Sequence, residues 1–124
     1  MVDILHNLPD PDLTLFDDGL NIEERCGAIF QDLNGGYKVI EVPNRHAEPK
    51  KHFAINTSDV KAVTVDDEKL VGILHTHPAH QYKKPSYSDV SSIPDSLIGI
   101  VYHPSSRTIH WYNNQGVLHT EIRN

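Results

Sequence analysis

The stretch LVGILHTHPAHQYKKPSYSD, residues 70–89, decides the fold and carries the chemistry of this 124-residue chain. It opens with an apolar run, residues 70–74, which is typical of a strand buried on both faces. The run ends at His75-Thr76-His77-Pro78, and strand alternation directs side chains two residues apart to the same face. Because Pro78 cannot donate to a sheet ladder, we expect the strand to end there with both imidazoles on one face.

A third potential metal ligand follows after a polar loop. In Ser86-Tyr87-Ser88-Asp89 an aspartate comes three residues after a serine, a spacing that also occurs in helix capping boxes. Two imidazoles and one carboxylate leave the fourth position of a tetrahedral zinc ion open for water, as in catalytic zinc sites. Either motif alone is weak, since the chain has nine histidines and capping boxes are common. Together they predict one zinc ion per chain, held by His75, His77 and Asp89.

The combined pattern, His-Thr-His-Pro at a strand end and then Pro-Ser-x-x-Asp, resembles the JAMM motif of the JAB/MPN metallopeptidases. The intervening run, residues 78–85, is one residue longer than in the commonest form of that motif. The family also carries a glutamate far upstream, before an apolar strand, and Glu24-Arg25-Cys26-Gly27 matches this feature. Two further segments, residues 43–49 and 52–55, are similar to the JAMM domain at the front of siphophage tail assembly proteins of the K type.

The order of the predicted elements suggests an α+β domain, a mixed β-sheet with flanking short helices. The resemblance implies that this is the MPN (JAB) fold, with a layering like that of cytidine deaminases. It also implies that Glu24 is the general base and that Ser86 hydrogen-bonds the developing oxyanion. Glu23 would point to the opposite side of an extended segment, so Glu24 is the preferred base. The expected reaction is hydrolysis of a peptide or isopeptide bond.

Three functions remain open at this point. The first is a zinc hydrolase associated with phage tail assembly or the tail tip, whose partners would be other tail-tip proteins and a separate cysteine peptidase of the NlpC type. The second is a non-catalytic MPN-fold scaffold module of a virion tail. The third is an isopeptidase that acts on ubiquitin-like modifiers. All five motif positions are present, which favours an enzyme, and the tail-like segments favour the phage setting.

Composition excludes several other classes of protein. The net charge of −6 argues against nucleic-acid binding, which requires a basic face. Cys26 is the only cysteine, so the chain cannot form an internal disulfide and lacks the cysteine pair of the zinc nucleobase deaminases. We expect no signal peptide and no membrane span, and a location in the host cytoplasm during assembly or in the virion tail. We also expect residues 1–124 to form a single domain in which residues 1–20 diverge from the family.

The loop between the two halves of the motif concentrates positive charge and one aromatic side chain beside the expected metal. It is either an ordinary solvated loop or a lip that contacts substrate, with Lys83 or Lys84 meeting an acidic group. The candidate contacts are Ala79, His80, Tyr82, Lys83 and Lys84.

The remaining elements follow from periodicity and turn residues. Besides the motif strand we predict strands over 26–32, 37–42, 52–55, 97–103, 108–112 and 116–122. Short helices are predicted from Thr57 towards Val63 and from Ser86 to Ile93. We expect His103, His110 and His119 to be surface or edge residues. The N-terminal apolar side chains are interpreted as core contacts or a docking patch, and they are Leu5, Leu13, Leu15 and Phe16.

Overall fold

The motif strand lies near the middle of a six-stranded sheet in the computed structural model, which describes residues 8–123. The strand order is β2-β1-β3-β4-β5-β6. The strands are β1 (Cys26–Gln31), β2 (Tyr37–Val42), β3 (Lys69–Thr76), β4 (Ile98–His103), β5 (Thr108–Asn113) and β6 (Gly116–Ile122). Two short helices, α1 (Thr57–Val63) and α2 (Tyr87–Ser92), complete the domain together with a 3-10 turn (Thr14–Phe16).

The sheet is mixed because one pair of neighbouring strands is parallel while the other pairs are antiparallel. β3 and β4 are parallel, and the chain passes through α2 between them. β1 pairs antiparallel with both β2 and β3, and β5 pairs antiparallel with β4 and β6. Gly35, at a φ of 86°, forms the tight turn between β1 and β2, a conformation that glycine adopts without strain. The predicted α+β class, a mixed sheet with few short helices, is confirmed.

One face of the sheet is covered by the N-terminal segment. Leu8, Leu13 and Phe16 pack against side chains of β1, β3, β4 and β5 in one hydrophobic cluster. The indole N–H of Trp111 donates to the Pro9 carbonyl at 2.6 Å, which fixes this segment to the sheet. Leu13 and Phe16 are therefore core residues, as predicted, whereas Leu15 is 37% exposed. Leu5 lies outside the described residues.

The opposite face carries both helices and the motif histidines. α1 and the segment before it pack on Cys26, Ala28 and Phe30, while Ile93 and Val90 of the α2 region pack on Val101 and Tyr112. His75 pairs in register with Cys26 on one side and Val101 on the other, so all three share this face. The motif strand therefore presents its first histidine to a layer built by α1 and α2.

Several local predictions were wrong. Residues 52–55 form no strand, because Asn44 takes the place of a neighbouring strand: its Oδ1 accepts the Ala54 N–H at 3.0 Å. The helix predicted from Thr57 is present as α1, and the side chain of Asn56 caps its first turn. His103 and His110 are buried, since backbone of the loop after β3 lies beside both rings. Only His119 lies on an edge strand, β6.

No helix in residues 8–123 has the length and apolar character needed to cross a membrane.

Candidate metal centre

Hydrogen bonds on both sides of the end of β3 position the two motif histidines. The Thr76 N–H donates to the Arg25 carbonyl at 2.8 Å, and the Thr76 hydroxyl accepts the Arg25 N–H at 2.9 Å. The next amide, of His77, donates to the Tyr102 carbonyl of β4 at 2.9 Å. Thr76, between the two histidines, thus hydrogen-bonds to the backbone of Arg25, the residue after Glu24. The end of β3 therefore positions three candidate site residues: both histidines and Glu24.

Asp89 is positioned by the first turn of α2. The Ser86 hydroxyl accepts the Asp89 N–H at 3.1 Å, and Asp89 Oδ2 accepts the Ser86 N–H at 2.8 Å. This is a capping box with an aspartate in the usual place of glutamate. The same Oδ2 atom lies 3.1 Å from His75 Nε2 and 3.5 Å from His77 Nε2. One carboxylate therefore both caps the helix and meets the two imidazoles.

The donor atoms are spaced as a zinc ion requires. His75 Nε2 and His77 Nε2 are 3.1 Å apart, so the three atoms form a triangle with sides of 3.1, 3.1 and 3.5 Å. Zinc bonds of about 2.0–2.1 Å in tetrahedral geometry separate neighbouring ligand atoms by roughly 3.3 Å. The residues present therefore match the donor set and the size of a three-ligand zinc site.

A second carboxylate, that of Glu24, lies close to the same two histidines. Glu24, His75 and His77 each offer one ligand atom, and these atoms all lie within 4.8 Å of one another. This group could hold a metal ion, so geometry offers two possible third ligands. The contacts of Asp89 Oδ2 with both ring nitrogens are shorter. Glu24 Oε2 is instead bound by the side-chain amide of Gln81 at 3.0 Å. The shorter contacts favour Asp89 as the ligand.

The ring orientation of His77 is fixed by the loop that follows it. His77 Nδ1 lies 2.6 Å from the Tyr82 carbonyl, an oxygen that can only accept. The proton is therefore on Nδ1, and the Nε2 lone pair of the neutral ring faces the ligand triangle. His75 is held differently, by the ring of Phe53, which stacks on it with centroids 4.1 Å apart and planes at 14°.

Burial and hydrogen bonds move the pKa values of the four groups in different directions. Burial alone would raise the pKa of Asp89, but its close contacts with the rings of His75 and His77 outweigh burial and hold that pKa well below its ordinary value. Burial raises the pKa of Glu24 to about 7, and the Gln81 hydrogen bond opposes this rise. Burial lowers the pKa of His75. Burial would also lower the pKa of His77, but its bonds to Asp89 and the Tyr82 carbonyl raise it.

These shifts predict that metal affinity falls as the pH falls. The pKa of His77 is raised, so in the metal-free protein this ring takes up a proton at a higher pH than an ordinary imidazole does. A protonated ring nitrogen cannot bind a metal ion, whereas His75 remains neutral to lower pH. Zinc retained after equilibrium dialysis should decrease from about pH 7 to about pH 5 and return on neutralisation with added metal. Retention that stays flat down to about pH 4 would exclude imidazole ligands.

A cleft of about 1280 Å³ opens on this site, with α1 and α2 in its walls. Glu24, His77, Ser86 and Asp89 all border it. Its apolar lining is contributed by Phe53, Ile55, Val60, Leu70, Ile73 and Leu97. Of the loop residues predicted to contact substrate, Tyr82 and Lys84 line the cleft. The other three lie outside its lining, and they are Ala79, His80 and Lys83.

Three site residues were not predicted from the sequence, namely Gln81, Asn44 and Phe53. Gln81 binds Glu24, and Phe53 stacks on His75. Asn44 Nδ2 donates to the Glu24 carbonyl at 2.8 Å, which fixes the backbone beside the proposed base. No role was predicted for Asn44 or Phe53, although both fall within the segments 43–49 and 52–55 that were singled out in the sequence. No feature of the sequence predicts the role of Gln81, since its contact with Glu24 depends on the path of the loop.

Comparison with known proteins gives one family. No curated protein matches the sequence. The family model described as prokaryotic homologs of the JAB domain matches residues 18–115, a span that includes β1 to β5 and every residue of the candidate centre. The predicted relation to the JAB domain is thereby confirmed, and the chain belongs to the family of prokaryotic homologs of the JAB domain.

Proposed function

We propose that this chain is a zinc-dependent hydrolase of the JAMM type that cleaves a peptide or isopeptide bond. The observation that carries the proposal is the triangle of His75 Nε2, His77 Nε2 and Asp89 Oδ2, with sides of 3.1–3.5 Å, at the border of a large cleft. His75, His77 and Asp89 would hold the zinc ion. When bound, zinc would supply a Lewis acid that acidifies water and polarises the scissile carbonyl.

Glu24 acts as the general base in this proposal. Its side chain is only 3% exposed, and burial raises its pKa to about 7. A group with a pKa near the working pH can both accept and return a proton, which is what amide hydrolysis requires. Its Oε1 atom is buried and has no hydrogen-bond partner among the described residues. Glu24 takes a proton from the attacking water and delivers it to the leaving amine.

Ser86 stabilises the negative charge that develops on the substrate oxygen. Its hydroxyl oxygen accepts the Asp89 N–H and lies 3.3 Å from Ser88 Oγ. The Ser88 hydroxyl can be the donor in that contact, which leaves the Ser86 hydroxyl hydrogen for the substrate. The residue is exposed and lines the cleft, which places this donor on the substrate side of α2. A donor aimed at the developing oxyanion lowers the barrier more than it strengthens ground-state binding.

The cleft accommodates the substrate as an extended chain. Its apolar lining suits hydrophobic side chains, and Tyr82 and Lys84 on its border form the lip. Lys84 is exposed, so its ammonium group can meet an acidic group of the substrate at little desolvation cost. Of the five loop residues predicted as a substrate lip, the proposal keeps the two that border the cleft.

We place this hydrolase in phage tail assembly, either in the host cytoplasm or in the virion tail. Support comes from the segments 43–49 and 52–55, which resemble K-type tail proteins. In the fold these segments supply Asn44, which holds the Glu24 backbone, and Phe53, which stacks on His75. The partners would be other tail-tip proteins and a separate cysteine peptidase of the NlpC type. A non-catalytic tail scaffold and an isopeptidase for ubiquitin-like modifiers are the alternatives.

Hydrolysis that depends on bound metal tests the proposed chemistry. Purified protein loaded with zinc is incubated with a library of fluorogenic peptides and with isopeptide-linked peptides. We expect cleavage that a chelator abolishes and that added zinc restores. Cleavage that survives complete removal of the metal would contradict the proposal, since the remaining residues then suffice without an ion.

Co-purification from phage-infected cells tests the setting. Tagged protein should retain tail-tip proteins, and a variant with Tyr82 and Lys84 both changed to alanine should retain the same proteins, since these residues face substrate. Recovery with ubiquitin-like modifiers and their activating enzymes alone would favour the isopeptidase alternative.

A further inference from the structure

The side chain of Gln81 crosses from the loop after β3 to the segment that precedes α1. Its Nε2 atom lies 3.0 Å from Glu24 Oε2, 3.1 Å from the Lys51 carbonyl and 3.2 Å from the Lys50 carbonyl. All three of these atoms are acceptors. An amide nitrogen carries two N–H donors, which the three acceptors share. The amide orientation is therefore determined, because the opposite orientation would place an oxygen against three oxygens.

The backbone around Gln81 is also fixed. The Gln81 N–H donates to the Pro78 carbonyl at 3.0 Å, which closes a turn directly after β3. The carbonyl of the next residue, Tyr82, accepts the His77 Nδ1 proton. The same turn therefore orients a proposed metal ligand through its backbone and a proposed general base through its side chain.

The two carboxylates near the histidines are restrained by different elements. Asp89 Oδ2 is bound by the Ser86 N–H within the first turn of α2. Within residues 8–123, Glu24 Oε2 is bound only by Gln81, and Glu24 Oε1 has no partner. A ligand atom of Glu24 nevertheless lies within 4.8 Å of both imidazoles. A small rotation of the glutamate side chain would therefore bring it to the metal if the amide did not hold it.

We propose that Gln81 is a positioning residue that keeps Glu24 out of the metal's ligand shell. The amide thereby decides which carboxylate binds the ion and which remains free to carry protons. This inference rests on the proposed function, because it takes Asp89 as the ligand and Glu24 as the base. It adds a residue outside the two halves of the motif, supplied by the loop between them.

A double-mutant cycle on zinc affinity tests the proposal without any substrate. Zinc binding is measured by competition with a chromophoric chelator for the wild type, Gln81→Met, Glu24→Gln and the double variant. Methionine keeps the length of the side chain and removes both donors. We expect Gln81→Met to bind zinc about tenfold more tightly, as a released Glu24 becomes an additional ligand, a change of the size that outer contacts of metal sites produce. In the Glu24→Gln background the same substitution should change affinity by less than about twofold.

Controls separate this effect from a general change in the protein. Gln115→Met alters an exposed glutamine in the turn between β5 and β6 and should leave zinc affinity unchanged. Gln81→Ala is prepared in parallel, so that the result does not depend on how methionine packs. Thermal unfolding of the metal-free variants shows whether each remains folded.

The proposal is overturned if Gln81→Met and Gln81→Ala bind zinc no more tightly than the wild type. It is equally overturned if the gain persists in the Glu24→Gln background, because the effect would then not pass through Glu24. On a cleaved peptide, both Gln81 variants should lower kcat by about tenfold to a hundredfold with a smaller change in KM. A protein that cleaves nothing would count against the proposed function, whereas the affinity cycle would still decide the role of Gln81.

Discussion

Glu24→Gln is expected to fold, to keep its metal and to lose turnover by about a hundredfold or more, the usual contribution of a positioned acid/base group. Glutamine has the same length, and its amide oxygen can still accept the hydrogen bond that Gln81 donates to Glu24 Oε2. What the substitution removes is the ability to accept a proton. The loss should therefore appear in kcat and kcat/KM together, because the missing step belongs to the transition state.

Steady-state kinetics on the best peptide from the library, with metal content measured on the same preparations, checks this prediction. Glu23→Gln is the matched control, since the neighbouring side chain is exposed and lies outside the cleft lining. It should have nearly wild-type kinetics. Full activity in Glu24→Gln would show that another group carries the proton.

His77→Ala is expected to reduce bound zinc from about one ion per chain to a small fraction. The substitution removes one of three donor atoms and also breaks the hydrogen bond between His77 Nδ1 and the Tyr82 carbonyl. His75→Ala should have a similar effect, and it additionally leaves Phe53 without the ring on which it stacks. Losing one ligand of three weakens binding far more than losing an outer contact does, so the decrease should be near complete.

Elemental analysis after extensive dialysis against a fixed free-zinc concentration measures this loss. His80→Ala is the matched control, because His80 is exposed and lies outside the cleft lining. It should retain the wild-type amount. A fully loaded His77→Ala protein would refute the ligand assignment.

Much of the sheet could be predicted because its signals are local. The apolar run that leads into His75 and His77 forms β3, and the strands predicted over 26–32 and 37–42 are present as β1 and β2. Residues 52–55 were misassigned for a reason that lies outside them. Their backbone groups bond to Asn44 and Arg45, so a side chain and a loop replace the neighbouring strand.

The part of the candidate centre that depends on the spacing of residues along the sequence could be predicted. Two residues separated by one position share a strand face, and a capping box fixes the fourth residue of its motif, so spacing predicts His75 and His77 as a pair and Asp89 in the first turn of a helix. That the carboxylate meets both imidazoles depends on how the helix packs on the sheet. Gln81 and Phe53 could not be predicted, because each reaches the site through the path of a loop. No local sequence pattern predicts that His103 and His110 are buried either. Both rings lie beside the backbone of the loop after β3, whose path the sequence does not reveal.

The central claim is that Asp89 binds the metal and Glu24 does not, and zinc content of Asp89→Asn and Glu24→Gln measured side by side tests it most directly. Asparagine can still accept the Ser86 N–H, so the first turn of α2 is preserved while the charged ligand is lost. We expect Glu24→Gln to retain about one zinc per chain and Asp89→Asn to retain little under the same conditions. The reverse result, zinc lost from Glu24→Gln and kept by Asp89→Asn, would contradict it.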